Sequence, residues 1–127
     1  MNAPKIKFNN AAGYDRMMGV WSQLIGDIFL DWLSFEEKGC WLDIGCGTGA
    51  FTQQIKERCA PSQIIGVDPS DVQLEFARTR KGMGDCIFQS ADAMALPFEN
   101  QKFDSSTMAL VLFFVPDPAK GLSEMIR

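Results

Sequence analysis

An α/β fold, with a parallel β-sheet and helices on both of its faces, is the fold class that this sequence predicts. Short apolar runs typical of buried strands alternate along the chain with segments of helical periodicity. The first run, residues 40–44, ends abruptly at a turn that contains three alternating glycines. Strands and helices that alternate at this spacing indicate βαβ units, which form parallel sheets. The 127 residues fit a single domain.

The first half of the chain supplies three helices and two strands to this prediction. Apolar residues at steps of three and four predict an amphipathic helix from Tyr14 to Leu33. After the strand at 40–44, a second helix is expected from about Ala50 to Arg58. The apolar segment QIIGVD, residues 63–68, predicts the second strand. Ser70, followed three residues later by Gln73, is a capping-box signature that opens a third helix through about Arg80.

The second half predicts two more strands and a final helix. The third strand is expected near residues 85–89, and the fourth from Phe103 to about Leu112. The segment ALPFENQKF between them contains proline and polar turn residues, so it is predicted to be a loop. Asp117 followed by Pro118 has the pattern of an N-cap and a first-turn proline, which starts the last helix.

Composition excludes several classes of protein. A net charge of −4 disfavours a nucleic-acid partner. The chain has no histidine, and its four cysteines never approach CxxC spacing, so no metal site is expected. The longest apolar run, residues 108–115, is far shorter than the roughly 18 residues of a membrane span, and the N-terminus lacks the apolar centre of a signal peptide. We therefore expect a cytoplasmic protein.

The glycine turn predicts a nucleoside site. Gly45, Gly47 and Gly49 follow the first strand, where the missing Cβ atoms allow a ligand to approach the backbone. Asp68, at the end of the second strand, is placed to accept hydrogen bonds from both hydroxyls of a ribose. No GKS or GKT closes the turn, which excludes a P-loop. A nicotinamide dinucleotide remains open in the form GxGxxA, with Ala50 in the last position.

Two further acids favour a cofactor that carries no phosphate. Asp43 stands two residues before the first glycine, where a carboxylate would repel a pyrophosphate but attract an ammonium or sulfonium cation. Asp92, which follows the third predicted strand, can accept a hydrogen bond from the exocyclic amino group of adenine. Asp68 and Asp92 could alternatively be simple turn formers.

With these residues the chain resembles the class I S-adenosylmethionine-dependent methyltransferases, in the branch of quinone-biosynthesis and related small-molecule enzymes. The motifs that carry the resemblance occur in the order and spacing of the family over nearly the whole chain. They are YDRMMGVWS (14–22), LDIGCGTG (42–49), GVDPS (66–70), ADAMALPF (91–98) and FDSSTMALVLFFVPDP (103–118). The resemblance implies a Rossmann-like methyltransferase fold and methyl transfer to a small-molecule acceptor.

The resemblance also implies which residues bind the cofactor, S-adenosylmethionine, or its product S-adenosylhomocysteine. The methionine part would contact the backbone of Gly45, Cys46 and Gly47, with Asp43 near its amino group. Asp68 would bind the ribose. Pro69 and Ser70 would border the adenine, and Asp92 and the Ala93 N–H would contact its edge. Met108, Ala109 and Leu110 would line the sulfonium, and Tyr14, with Trp21 and Ser22, would form a lid within a helical cap segment, residues 1–38. Tyr14, Trp21 and Met108 could instead belong to the core.

The chain departs from the family pattern in two ways. Phe113 and Phe114 stand where many relatives carry histidines, so an aromatic acceptor pocket and simple packing are both open, and no catalytic residue is predicted. The family sheet has seven strands, whereas only about four are expected here. A shortened chain, a proteolytic fragment and a half-domain completed by another copy would each explain this difference, and we favour a fragment. The fragment is expected to self-associate through the edge of the fourth strand, and it could bind the cofactor without catalysis.

Overall fold

One parallel sheet of four strands organises the chain, as the sequence predicts. The structure, a computed structural model, describes residues 11–35 and 37–127, except for the side chains at positions 11, 14, 15 and 17. The strands are β1 (Cys40–Ile44), β2 (Gln63–Asp68), β3 (Ile87–Ser90) and β4 (Ser105–Thr107), and their order in the sheet is β3-β2-β1-β4. The helices are α1 (Ala11–Trp32), α2 (Ala50–Cys59), α3 (Asp71–Arg78) and α4 (Pro118–Ile126).

Both faces of the sheet are covered by helices or loops. Successive residues of a strand point to opposite faces, so β1 contributes side chains to both. On one face Trp41 of β1 packs with Leu30 of α1 and Ile55 of α2. On the other face Leu42 and Ile44 pack with the loop that follows β3 and with Met125 of α4. Because β1 pairs parallel with both β2 and β4, the carboxyl ends of these three strands lie at the same edge of the sheet.

The predicted helix caps at Ser70 and Asp117 are present. Asp117 stands directly before Pro118, the first residue of α4. Its carboxylate accepts a hydrogen bond from the Lys120 N–H at 3.1 Å. The Ser70 hydroxyl accepts from the Gln73 N–H at 3.4 Å. The reciprocal bond of a capping box is replaced, since the Ser70 N–H donates to the Asp68 carboxylate at 2.8 Å.

The predicted fourth strand, from Phe103 to Leu112, is wrong in its length. β4 contains only Ser105–Thr107. The chain then turns at Leu110, whose φ of +56° is incompatible with an extended strand, and enters a short 3₁₀-helix at Leu112–Phe114. Among the apolar residues after Thr107, Val111 packs against Gly45 and Val115 is buried at the end of the sheet, whereas Leu110 and Phe113 are exposed.

The other boundaries differ by a few residues. β3 begins at Ile87 rather than near Asp85, because Asp85 pairs with Lys56 and the Cys86 N–H donates to the Met83 carbonyl in a turn. α3 ends at Arg78, before the predicted end at Arg80. Helix ends of this kind commonly differ by one or two residues between methods of assignment.

Helix α1 packs on α2 through a close contact at Gly26. The Gln54 side chain of α2 fills the space beside this glycine and donates to the Gln23 carbonyl at 2.7 Å. Arg58 of α2 pairs with Asp27 and Asp31. Within the residues that the structure describes, no helix combines the length and hydropathy that crossing a membrane would require.

Candidate nucleoside-binding site

The glycine turn joins the carboxyl end of β1 to the first turn of α2. Gly45, Gly47 and Gly49 have φ values of +69°, +54° and +80°, a region that L-residues with a Cβ rarely adopt. A Cβ at residue 45 would lie 2.5 Å from a Val111 methyl carbon. The alternating glycines of the sequence are therefore favoured by backbone conformation, and at Gly45 and Gly49 also by packing.

Backbone hydrogen bonds to β2 hold the turn in place. The N–H groups of Gly45 and Cys46 both donate to the Val67 carbonyl, at 2.8 and 2.9 Å. From the other side Arg80 donates through Nε to the Thr48 carbonyl at 2.6 Å. These hydrogen bonds fix the position of the turn relative to β2 and to Arg80.

Asp68 lies beside this turn, as the sequence predicts. One carboxylate oxygen accepts from the Gly47 N–H at 3.0 Å, and the other accepts from the Ser70 N–H at 2.8 Å. Partial burial raises the pKa of the Asp68 carboxyl, and the two N–H donors oppose this rise. Each oxygen retains a further lone pair, so the carboxylate can accept additional hydrogen bonds from a ligand.

Asp43 is buried beneath the turn, with 1% of its surface exposed. Its two oxygens accept hydrogen bonds from the hydroxyls of Thr52 and Thr107, at 2.7 and 3.2 Å. Burial raises the pKa of Asp43 to about 6, although the two hydroxyls act in the opposite direction. The carboxylate therefore links β1, α2 and β4 at the carboxyl edge of the sheet. Its placement near an amino group of a ligand stays a prediction.

Asp92 follows β3 and is exposed at the same edge of the sheet. Its carboxylate accepts from the Met94 N–H at 2.8 Å, and an isolated bridge joins it to Ala95. Asp92 and Asp68 therefore both shape turns, which was the alternative to a binding role. The two roles are compatible, because neither carboxylate is saturated by one N–H per oxygen.

The remaining predicted site residues occupy different positions around this edge. Met108 packs in the core beside β4, whereas Ala109 and Leu110 are exposed in the turn that follows. Pro69 is exposed next to Asp68. Trp21 lies on the outer surface of α1, with 68% of its area exposed. The side chain of Tyr14 lies outside the described residues.

The sequence did not identify three residues that shape the site. Thr52 and Thr107 carry the hydroxyls that bond Asp43, and Val111 covers Gly45. The position of Thr52 in the first turn of α2, three residues after Gly49, was an available signal. Across the described part of the chain, no group of three or more acidic or cysteine side chains could hold a metal ion.

Comparison with known proteins identifies a matching family and several curated relatives. The profile of the family described as "Methyltransferase domain" matches residues 42–127. The chain is 37% identical over 91 residues to a demethylmenaquinone methyltransferase of Lactiplantibacillus plantarum, covering 68% of this chain and 38% of that protein. It is 35% identical over 86 residues to the chloroplastic 2-methyl-6-phytyl-1,4-hydroquinone methyltransferase 2 of Oryza sativa, covering 68% of this chain and 25% of that protein.

A solved structure gives the same result. The crystal structure of a SAM-dependent methyltransferase of Thermotoga maritima, described as a possible histamine N-methyltransferase, matches with a TM-score of 0.71 and 31% identity. The match covers 89% of this chain and 50% of that one. The chain spans about a quarter to two fifths of the length of the curated relatives that it matches.

The burial of Asp43 predicts a pH dependence of stability. Between the ordinary pKa of 3.8 and the raised value of about 6, the folded state binds more protons than the unfolded state. The free energy of unfolding should therefore fall as the pH rises through this window, by up to ~3 kcal/mol. Asp43→Asn should remove this dependence. In urea unfolding from pH 4 to 7.5, the free energy of unfolding of the variant should increase relative to that of the wild type as the pH rises. A difference that stays constant with pH would contradict the prediction.

The packing of Val111 on Gly45 predicts unequal effects of alanine at two glycines. Gly82 also has a positive φ, +79°, but nothing lies within 4 Å of a Cβ placed there. Gly82→Ala should lower the free energy of unfolding by about 1–2 kcal/mol, the cost of the left-handed conformation. Gly45→Ala should lower it by a further ~1–3 kcal/mol, because Val111 must move. If urea unfolding gave the same loss of free energy of unfolding for both variants, Val111 would be shown to move aside without a loss of stability.

Proposed function

The chain belongs to the methyltransferase domain family, and from that premise we propose that it binds S-adenosylmethionine and transfers its methyl group to a small-molecule acceptor. The observation that carries the proposal is the Asp68 carboxylate, held 3.0 Å from the Gly47 N–H at the glycine turn. A carboxylate in this place suits the hydroxyls of a ribose, and a second acid, the buried Asp43, is the one that disfavours a phosphate at the turn.

In this proposal each part of the cofactor meets a separate group at the edge of the sheet. Asp68 accepts the ribose hydroxyls, and the backbone at residues 45–47 contacts the methionine part. Asp92, the Ala93 N–H, Pro69 and Ser70 contact the adenine. The buried charge of Asp43 attracts the ammonium of the methionine part from beneath the turn, and the segment at 108–110 lines the sulfonium.

The chemistry requires positioning more than reactive side chains. S-adenosylmethionine supplies a methyl group on a positively charged sulfur, which keeps the electrons of the broken S–C bond when the nucleophile of the acceptor bonds to the methyl carbon. The acceptor must therefore lie in line with that bond, and holding it there contributes most of the rate. A turn already bonded to Val67 and Arg80 provides a rigid reference for such an alignment.

We propose a hydroquinone-type ring as the class of acceptor. The relatives from L. plantarum and O. sativa are named for substrates of this kind. In this chain Phe113 and Phe114 place their ring centroids 4.1 Å apart, and both rings are exposed, Phe113 by 74%. The Phe114 N–H donates to the Val111 carbonyl at 2.8 Å, so the ring pair is tied to the residue that covers Gly45. Such a pair suits a flat apolar acceptor.

The segment of residues 1–38 completes the proposal as a cap over the domain. Its helix α1 packs on α2, the helix that begins at the glycine turn. Tyr14, Trp21 and Ser22 are its candidates for contact with the cofactor.

Calorimetric titration with S-adenosylhomocysteine tests the proposal on this chain. We expect S-adenosylhomocysteine to bind and NADH not to bind. Asp68→Asn should weaken binding by about 10–100-fold, because hydrogen bonds to a charged acceptor are lost. Glu75→Gln, on the exposed face of α3, serves as a control with unchanged affinity. Binding of NADH without S-adenosylhomocysteine would overturn the proposal.

We further propose that this chain self-associates through β4. Within the described residues β4 pairs with β1 alone, so its outer edge presents free backbone groups to another strand. Chromatography with light scattering should show a mass that rises with concentration toward that of a dimer. A constant monomer mass at every concentration would contradict this.

A further inference from the structure

An ion pair at the end of α4 holds the segment between β3 and β4. Glu124 lies in α4, and Arg127 directly follows the last residue of this helix. The Arg127 Nε donates to a Glu124 carboxylate oxygen at 2.9 Å, and both side chains are largely shielded from solvent, with 29% and 21% of their area exposed. The pair lies outside the candidate site, yet it bonds the loop, residues 91–101, that carries Asp92.

Both backbone polar groups of Leu96 are bonded by this pair. The Leu96 N–H donates to the Glu124 carboxylate at 3.1 Å, and the Leu96 carbonyl accepts from the Arg127 Nη2 at 2.7 Å. Leu96 is buried, and its side chain packs in the cluster that contains Leu42 and Ile44. A buried residue outside helices and strands needs partners for its N–H and carbonyl, and one ion pair supplies both.

Arg127 also fixes the loop beyond Leu96. Its Nη1 donates to the Phe98 carbonyl at 2.6 Å and to the Asn100 side-chain oxygen at 2.9 Å. The Arg127 carbonyl accepts from the Gln101 N–H at 2.8 Å. A guanidinium presents its N–H donors in fixed directions, whereas a lysine ammonium is a single flexible charge. One arginine side chain therefore ties three points of the loop to the end of α4.

The turn that carries Asp92 lies between two anchored points. The Asp92 carbonyl accepts from the N–H of Ala95, the residue directly before Leu96, at 3.0 Å. On the other side, the Ala91 N–H donates to the Asp68 carbonyl of β2 at 3.3 Å. The Asp92 side chain is exposed, so its position follows from the backbone of this turn rather than from packing in the core.

We infer that Glu124 and Arg127 are positioning residues for the adenine of the cofactor, because they fix the loop whose Asp92 carboxylate accepts the adenine amino group. This rests on the proposed function, in which Asp92 and the Ala93 N–H contact the edge of the adenine. The pair acts through the backbone of the loop and not through contact with the ligand. Its effect on binding is therefore confined to the adenine, while the ribose and methionine parts are held by other elements.

Two charge-matched variants separate positioning from stability. Arg127→Met removes one positive charge and the bonds to the loop after β3. Lys56→Met removes the same charge from α2, where Lys56 bonds Asp85 and the Gly82 carbonyl in the turn before β3. Both variants should lower the melting temperature, because each loosens one end of the same strand. Glu124→Gln is a milder second variant, which keeps the side-chain length and removes the ion pair.

Calorimetric titration with S-adenosylhomocysteine and S-inosylhomocysteine gives the readout. The inosine compound has an oxygen in place of the adenine amino group and shares the ribose and methionine parts. The wild type should prefer the adenosine compound by about 10–100-fold, because the Asp92 carboxylate otherwise loses its donor. Arg127→Met and Glu124→Gln should each reduce this preference, the first by roughly fivefold, and Lys56→Met should leave it unchanged.

The ratio of the two Kd values distinguishes the outcomes. An unchanged ratio in Arg127→Met and Glu124→Gln, or an equal fall of the ratio in Lys56→Met, would overturn the inference while the proposed function stands. Equal binding of both compounds by the wild type would also overturn it, because the loop would then not read the adenine. Absence of S-adenosylhomocysteine binding to the wild type would overturn the proposed function, and the inference with it.

Discussion

The buried carboxylate of Asp43 is the constraint on which the rest of the site depends. It lies one residue before the end of β1 and accepts hydrogen bonds from hydroxyls of α2 and β4, so three elements meet at one group. Burial disfavours the charged form, and its pKa of about 6 shows that two hydroxyl donors offset this only in part. An uncharged apolar residue would avoid this cost but would leave the buried hydroxyls of Thr52 and Thr107 without their acceptor.

The glycine turn inherits its geometry from this arrangement. It leaves β1 two residues after Asp43 and is fixed to β2 by the Val67 carbonyl and the Asp68 carboxylate. Asp68 thus serves both the turn and, in our proposal, the ligand. Because the same carboxylate orders the backbone beforehand, little conformational entropy remains to be lost on binding. The turn and the acid act as one unit, although 21 residues separate Gly47 from Asp68.

Sequence patterns predicted most of the fold because the signals were local. The strands at 40–44 and 63–68 agree with the structure residue by residue, since an apolar run bounded by turn residues has few alternatives. The fourth strand was overextended because only some of the apolar residues at 108–115 are packed: Val111 lies against Gly45 and Val115 is buried, whereas Leu110 and Phe113 are exposed. Hydrophobicity reports burial and does not distinguish a strand from a packed turn. The backbone reversal at Leu110, at φ +56°, has no signature in its residue type.

For a related reason, the sequence predicted the acidic residues of the candidate site but not the uncharged residues that bond them. A carboxylate at the end of a strand is visible in the sequence, whereas the role of a threonine or glutamine depends on contacts made across the fold. Gln73 was assigned to a capping box because the spacing from Ser70 fits, yet Asp68 already accepts the N–H that would complete it. One local bond made by Asp68 thus replaces the bond that the spacing predicts. Asp68 and Asp92 both keep acceptor capacity beyond the backbone N–H groups that they bond, which is what the hydroxyl and amino donors of a nucleoside require.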